Sequence, residues 1–214
     1  MQRWATFDCY GTLIDWNGGI GRELERLFGP DRAGSMLHRY HEVEPRVQRE
    51  DPKRSYREVM AITLSRLGPV AAGEEDALGR SLPSWQPFTE AHASLTEARK
   101  RGWKLAILSN TDRELIDASI ERIGVPFDDA VTASEIGSYK PVHGHWTEFA
   151  DRHGNLPDVH VGASLFHDMA PANELGIPSV WVNRLGEARG DVQPTCEIET
   201  LEPLPAVLAE LAPA

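Results

Sequence analysis

Trp4-Ala5-Thr6-Phe7-Asp8-Cys9-Tyr10-Gly11-Thr12-Leu13 is the stretch on which the fold turns. A short, largely apolar run stops at a carboxylate, and Gly11-Thr12 follows as a turn. That pattern predicts a buried strand ending in a functional loop. From about Asn17 to Leu82 the texture is helical, with almost no strand signal. Ile20, Leu24, Leu27 and Phe28 share one helical face that Gly29-Pro30 closes. A second helix is expected from about Arg32, with Met36, Leu37, Tyr40 and Val43 inward and Pro45 kinking or ending it. Ser55 and Glu58 have capping-box spacing for a third helix carrying Val59, Met60, Leu64 and Leu67. A fourth is expected over Glu74 to Leu82.

Beyond Pro87 helices and strands alternate. Phe88 to Ala98 reads as a helix, and Lys104 to Leu108 is a continuous apolar run ending in Ser109-Asn110. Thr111 and Glu114 have capping-box spacing for the next helix, which Gly124 ends. Further strands are expected at Ala130 to Ala133, Val159 to Ala163 and Ser179 to Val182, with helical stretches around Trp146 and Ala170 between them. Such alternation, with strands apolar on both sides, argues for an α/β protein built on a parallel sheet covered on both faces. The organisation expected is a core of residues 1–14 and 84–214, with a helical block of residues 15–83 inserted after the first strand. Ligands of open parallel sheets sit beyond the carboxyl ends of the strands. The block emerges at that rim and can roof a site there.

Composition narrows the partners. The chain has 214 residues, 41% of them hydrophobic and 26% charged, and a net charge of −11. No basic cluster of five or more residues occurs, which argues against nucleic acid as a partner. No apolar run reaches the ~18 residues that span a bilayer, and the N-terminus has no signal-peptide core. Cys9 and Cys196 are the only cysteines, too few for a disulfide framework. A cytoplasmic protein with neither nucleic acid nor membrane as partner is expected.

Four segments carry candidate chemistry. Asp8, leaving a strand before a tight turn that holds the Thr12 hydroxyl, suits covalent catalysis by a carboxylate; a strand-end aspartate also caps turns. Ser109-Asn110 presents a hydroxyl and an amide at a strand end, where they could bind an anion or simply cap a helix. Lys140, fixed by Pro141, could bring an ammonium to Asp8 or lie in solvent. Asp168, in Gly162-Ala-Ser-Leu-Phe-His-Asp168, could orient a water or cap the following helix. His143 and His145 have metal-pair spacing, but no acidic partner is spaced with them, so no metal site is expected.

In this order and spacing the four segments, with Gly176-Ile-Pro-Ser-Val-Trp-Val-Asn-Arg184, resemble the motifs of the haloacid dehalogenase superfamily across nearly the whole chain. The helical block looks like the cap of the subgroup containing the L-2-haloacid dehalogenases. The resemblance implies a Rossmann-like core with a helical cap and hydrolysis of a 2-halo acid without metal or cofactor; a homodimer is common among such proteins. By the same resemblance Asp8 attacks C2 and expels halide, forming an ester that water hydrolyses. Lys140 orients Asp8 and offsets its charge, Thr12 and Ser109 hold Asp8 or the substrate carboxylate, and Asp168 positions the water. Asn110 and Arg39 cradle the halide. Tyr10, Trp146 and His167 are the remaining candidates for contact with substrate.

Several positions depart from relatives of this kind. Phosphatases of the superfamily place a second Asp at position 10 to protonate the leaving alkoxide, and usually an Asp at position 163 to help hold Mg²⁺; here these are Tyr10 and Ala163. A halide leaving group needs no general acid, whereas an alkoxide gains ~10²–10⁴-fold from one. The L-2-haloacid dehalogenases carry Ser, Asn and an aromatic where this chain has Ala163, Leu165 and His167, and Tyr where Trp146 stands. His167 could replace the lost polar pair by activating water at neutral pH. A Mg²⁺-dependent phosphatase or phosphonate hydrolase of the same superfamily, and a catalytically idle member, are the alternatives.

Overall fold

The computed structural model describes residues 2–213. The first strand, β1 (Arg3–Phe7), leads into four helices, α1 (Trp16–Phe28), α2 (Pro30–Glu50), α3 (Tyr56–Leu67) and α4 (Ala77–Ser81). The rest alternates: α5 (Ala91–Lys100), β2 (Trp103–Ser109), α6 (Arg113–Ile123), β3 (Asp129–Thr132), α7 (Ala133–Ile136), α8 (Gly144–His153) and β4 (Val159–Gly162). A single π-turn, Leu165–Met169, then precedes α9 (Ala170–Glu174), β5 (Ser179–Val182), β6 (Cys196–Ile198) and α10 (Leu204–Leu211).

The six strands form one sheet in the order β3-β2-β1-β4-β5-β6, every pair parallel. Strand β1 is central because the chain winds outward through β2 and β3 and then crosses back to lay β4 on the other side. That reversal opens the crevice at the carboxyl end of β1. Phe7 is in register with Ile107 on one side and Val161 on the other, so Asp8 leaves the sheet level with the ends of both neighbours.

Strand residues alternate between two cores. Leu105 and Ile107 join Ala5, Phe7 and Val161 in a large cluster. Ala106 and Leu108 face a smaller one with Trp146, Phe149 and Ile177. The large cluster continues through Trp85 into the helices before β2, where Ile20, Leu24, Tyr40, Val59, Met60 and Leu64 are buried. Where the chain enters and leaves those helices its two crossings lie side by side, with Phe88 N–H donating to Leu13 O at 2.9 Å and Asp15 N–H to Gln86 O at 2.9 Å.

Local detail departs from expectation in places. Helix α2 starts on Pro30, which needs no N–H at a first helical position, and runs unbroken through Pro45 to Glu50. The bond that Pro45 forfeits is to the carbonyl of His41, and both residues border an open cavity rather than the core. The fourth helix is shorter than expected. Helix α6 is capped at Asp112, not Thr111. The Asp112 carboxylate instead accepts from the backbone N–H of Tyr56 (2.9 Å) and Arg57 (3.0 Å), which pins the start of α3 to the sheet domain. Strand β6 and helices α7 and α10 have no counterpart among the elements expected from sequence.

Candidate active site

Three strand ends converge on Asp8. Its own segment folds back at once: Leu13 N–H and Ile14 N–H donate to Cys9 O at 2.8 and 3.0 Å, and Gly11 takes a φ of +90° that a side chain would resist. This turn brings Thr12 beneath the carboxylate. The Thr12 hydroxyl donates to Asp8 Oδ2 at 2.9 Å and accepts from Ala163 N–H at 2.9 Å, tying the end of β1 to the end of β4.

Lys140 reaches the other oxygen. Its Nζ donates to Asp8 Oδ1 at 3.0 Å, to Asp168 Oδ1 at 2.6 Å and to Leu108 O at 2.8 Å, so all three ammonium protons are used. Asn110 holds the lysine's backbone in place: its Nδ2 donates to Lys140 O at 3.0 Å and its Oδ1 accepts from Lys140 N–H at 2.6 Å. Asp168 is locked further by Ser164 N–H at 3.2 Å and by His160 Nε2, 3.4 Å from Oδ1, whose Nδ1 meets the Thr6 hydroxyl at 2.9 Å. Gly162 makes room for it, since a Cβ there would lie 2.5 Å from Asp168 Cγ.

Charge follows from this arrangement. Burial works against Lys140's ammonium, but Asp168 and Asp8 outweigh it and hold the amine protonated, above its ordinary range. Burial likewise opposes ionisation of Asp168, and Lys140 and His160 overcome it, keeping that carboxyl well below the usual range. Asp8 is the weaker member: burial, reinforced by the Asp168 charge and opposed by Lys140, pushes it up to about 6. At neutral pH both carboxylates are therefore ionised about one ammonium. Asp168 is sealed, whereas the side chain of Asp8 keeps 14% of its surface open.

That opening faces a cavity of about 480 Å³ between the sheet rim and the helical block. Asp8, Tyr10, Ser109, Asn110, Lys140, His167 and Asp168 line it from the sheet side, and Trp16, His41, Glu44, Gln48 and Tyr56 from the helices. Tyr10 offers its ring alone, because its hydroxyl is turned to Ser119 Oγ at 2.9 Å on α6. His167 Nδ1 is 3.2 Å from Ser164 Oγ, which leaves Nε2 for the cavity; burial lowers its basicity and keeps the ring neutral. Thr12 is fully buried behind Asp8.

Two expected contacts are absent. Arg39 is exposed on α2 and donates to Leu67 O (3.1 Å) and Arg66 O (3.2 Å), away from the cavity; the inward packing of Met36, Tyr40 and Val47 sets that rotation. Trp146 is fully buried in the smaller core, edge-on to His160 at 5.1 Å, and has no access to the cavity. Nor do the histidines gather: His143 pairs with Glu174 at the surface, and His145 is buried with Nε2 on Ser109 O at 3.0 Å. Among the described residues no three His, Cys, Asp or Glu side chains converge as a metal site, and the Lys140 ammonium fills the space between Asp8 and Asp168.

Sequence reasoning missed His160, Glu44 and Gln48. A histidine within the apolar run Val159-His-Val161 was the available sign of the first. His41, Glu44 and Gln48, at helical spacing on one face, were the sign of the others.

The chain is similar to known proteins over most of its length. A family model described as haloacid dehalogenase-like hydrolase matches residues 3–176, from β1 through α9. The (S)-2-haloacid dehalogenase of Pseudomonas sp. (strain YL) is 31% identical over 191 residues, covering 84% of this chain and 82% of that enzyme. Among solved structures, the L-2-haloacid dehalogenase RSc1362 aligns with a TM-score of 0.85 at 22% identity, covering 96% of this chain and 98% of that one. The L-2-haloacid dehalogenase of Xanthobacter autotrophicus with chloropropionic acid covalently bound aligns at 0.83 with 20% identity, covering 99% and 100%. No described helix is long and apolar enough to cross a membrane. The structural likenesses carry the fold, and the family match, together with the relative from strain YL, carries the rest: the chain belongs to the haloacid dehalogenase-like hydrolases.

Proposed function

We propose that this hydrolase cleaves the carbon–halogen bond of a small 2-halo carboxylate through an ester on Asp8, in a cytoplasmic setting. Residues 1–14 and 84–214 serve as the catalytic core and 15–83 as the cap that closes over it. One observation supports the reading above the others. Asp8 is a carboxylate with one face open to the cavity, gripped on both oxygens by Lys140 and Thr12, and the side chain two positions on, Tyr10, turns its hydroxyl away to α6 and offers no acid beside it. An ionised, oriented carboxylate without an acid at the second position after it suits a leaving group that departs unprotonated.

In the first step an Asp8 oxygen forms a bond to C2 as the carbon–halogen bond breaks, and halide leaves with the electron pair. Lys140 changes little during this step, since it also compensates Asp168. Ser109 at the end of β2 is placed to receive the substrate carboxylate. In the second step water adds to the ester carbonyl of Asp8. His167 Nε2 takes the proton, the 2-hydroxy acid departs, and the Asp8 carboxylate is restored. The product hydroxyl thus keeps an oxygen of Asp8, the water oxygen stays in the restored carboxylate, and of the two water protons one ends on the product hydroxyl and the other is released with the halide.

The test is halide release from 2-chloro- and 2-bromopropionate, with and without EDTA, for the wild type and Asp8→Asn. Release that survives EDTA and vanishes in the variant is expected. A single turnover in H₂¹⁸O should place unlabelled enzyme oxygen in the product. Solvent oxygen entering product in that first turnover, or Mg²⁺-dependent phosphate release in place of halide release, would overturn the proposal.

A further inference from the structure

The cap side of the cavity is chemically unlike the floor. Glu44 lines it with only 5% of its surface exposed, and among the described residues it forms no ion pair with lysine or arginine. Its polar neighbours are Gln48, which donates to Oε1, and the Tyr56 hydroxyl. Around it stand aromatic faces: Trp16 lies parallel to His41 at 5.1 Å, and Tyr56 stacks over Tyr10 at 6.4 Å. Burial pushes the Glu44 carboxyl up to about 7, as expected of an acid lacking a counter-ion.

Among the described residues no lysine or arginine reaches it within ion-pair distance; Arg49, exposed near the end of α2, acts on it only from further off, as the smallest of the influences on its charge. Arg39 faces away. Arg184 borders the cavity but is committed to Glu90 at 2.7 Å, to Thr12 O at 3.0 Å and to the face of Phe88 at 3.5 Å. Lys140 is shared by two carboxylates. The cavity is therefore net acidic, and at about 480 Å³ it exceeds what a three-carbon halo acid fills. A buried carboxyl among aromatic faces is the environment that binds an ammonium group, by charge and by cation–π attraction.

We propose that Glu44, with Gln48 and the faces of Trp16 and Tyr56, is a subsite for a protonated amino group, so that the preferred substrate is a 2-halo acid with an amine on its chain. This deepens the dehalogenase reading and rests on it for the reaction, though not for the binding.

The experiment compares kcat/KM for 2-chloro-4-aminobutanoate, 2-chloro-5-aminopentanoate and 2-chloro-6-aminohexanoate with 2-chlorobutanoate, 2-chloropentanoate and 2-chlorohexanoate. At one chain length or more the amine should be favoured by about tenfold or better, the scale of one charged hydrogen bond. Glu44→Gln, checked for folding by its melting curve, should bring that ratio towards one. A second measurement needs no turnover: calorimetry on Asp8→Asn protein with 4-aminobutanoate, 5-aminopentanoate and 6-aminohexanoate against the matching alkanoates. Alkyl acids equal to or better than the amines at every length would overturn the subsite, as would a preference that Glu44→Gln leaves intact. Should Glu44→Gln fail to fold, the comparison in the unaltered protein stands alone. Amine-selective binding without halide release from any substrate would support the subsite and count against the dehalogenase reading. Halide release without amine preference would do the reverse.

Discussion

Replacing Lys140 by methionine keeps the length of the side chain and removes the charge that separates two buried carboxylates. The ammonium lies 3.0 Å from Asp8 and 2.6 Å from Asp168. At an effective dielectric of ~20, a unit pair at the longer distance is worth roughly 5 kcal/mol. Since ~1.4 kcal/mol is a factor of ten in an ionisation constant, relaxation can absorb half of this and still leave a large effect. Asp8, already near 6, is the member that takes up a proton. The acid limb of kcat/KM should then move from near pH 6 to pH ~8 or above. At pH 7 the ionised fraction of Asp8 falls from roughly nine-tenths to one-tenth or less, so the rate drops ~10-fold from ionisation alone and partly recovers at pH 9. Stability carries the same sign. A carboxyl raised in the folded state stabilises below its unfolded value, and that contribution is lost as pH rises through its folded value. Wild-type protein completes this loss by about pH 7, whereas the variant's melting temperature should keep falling between pH 7 and 9. Halide-release profiles and melting curves over pH 5 to 9 test both. An acid limb still near pH 6, with activity reduced equally at every pH, would show that Lys140 does not set the charge state of Asp8.

Other substitutions probe the frame around that pair. Asp112→Ala removes the acceptor for the first N–H groups of α3 and should cost about 2 kcal/mol, a melting shift of roughly 4–8 °C; an unchanged melting curve would mean that this carboxylate does not hold the cap. Arg39→Ala should keep kcat/KM within about twofold and cost under ~1 kcal/mol, because its two bonds go to backbone carbonyls outside the cavity, one part-buried and one exposed; a tenfold loss of halide release would place it back in the cavity. Gly162→Ala drives a methyl into the Asp168 carboxylate, which three partners prevent from moving aside. It should cost about 1–3 kcal/mol and lower halide release at least tenfold, and full activity with normal stability would refute the packing described.

How much of this was legible beforehand depends on which forces fix each residue. Asp8, Ser109 and Asp168 sit at or just past strand ends, and a parallel sheet brings every strand's carboxyl end to one rim. Once the apolar runs were recognised as parallel strands, the meeting of these residues followed from topology, whatever the loops did. Lys140 needed more, since its reach to Asp8 depends on the Asn110 clamp, a pair 30 residues apart that no periodicity reveals. Trp146 could have been placed correctly: with Phe149 three residues on, it makes a core-facing pair on α8, and that spacing outweighs a position matched by resemblance. Arg39 could not. On a helix of 3.6 residues per turn, residues 39 and 41 lie ~100° to either side of Tyr40. Tyr40's burial therefore leaves undecided which flank meets the cavity and which meets α3. The choice is made by Met36 and Val47 packing inward, which carries His41, Glu44 and Gln48 over Asp8 and swings Arg39 to the carbonyls of Arg66 and Leu67. The sheet thus fixes the geometry around Asp8, while the rotation of one helix decides which side chains face it across the cavity.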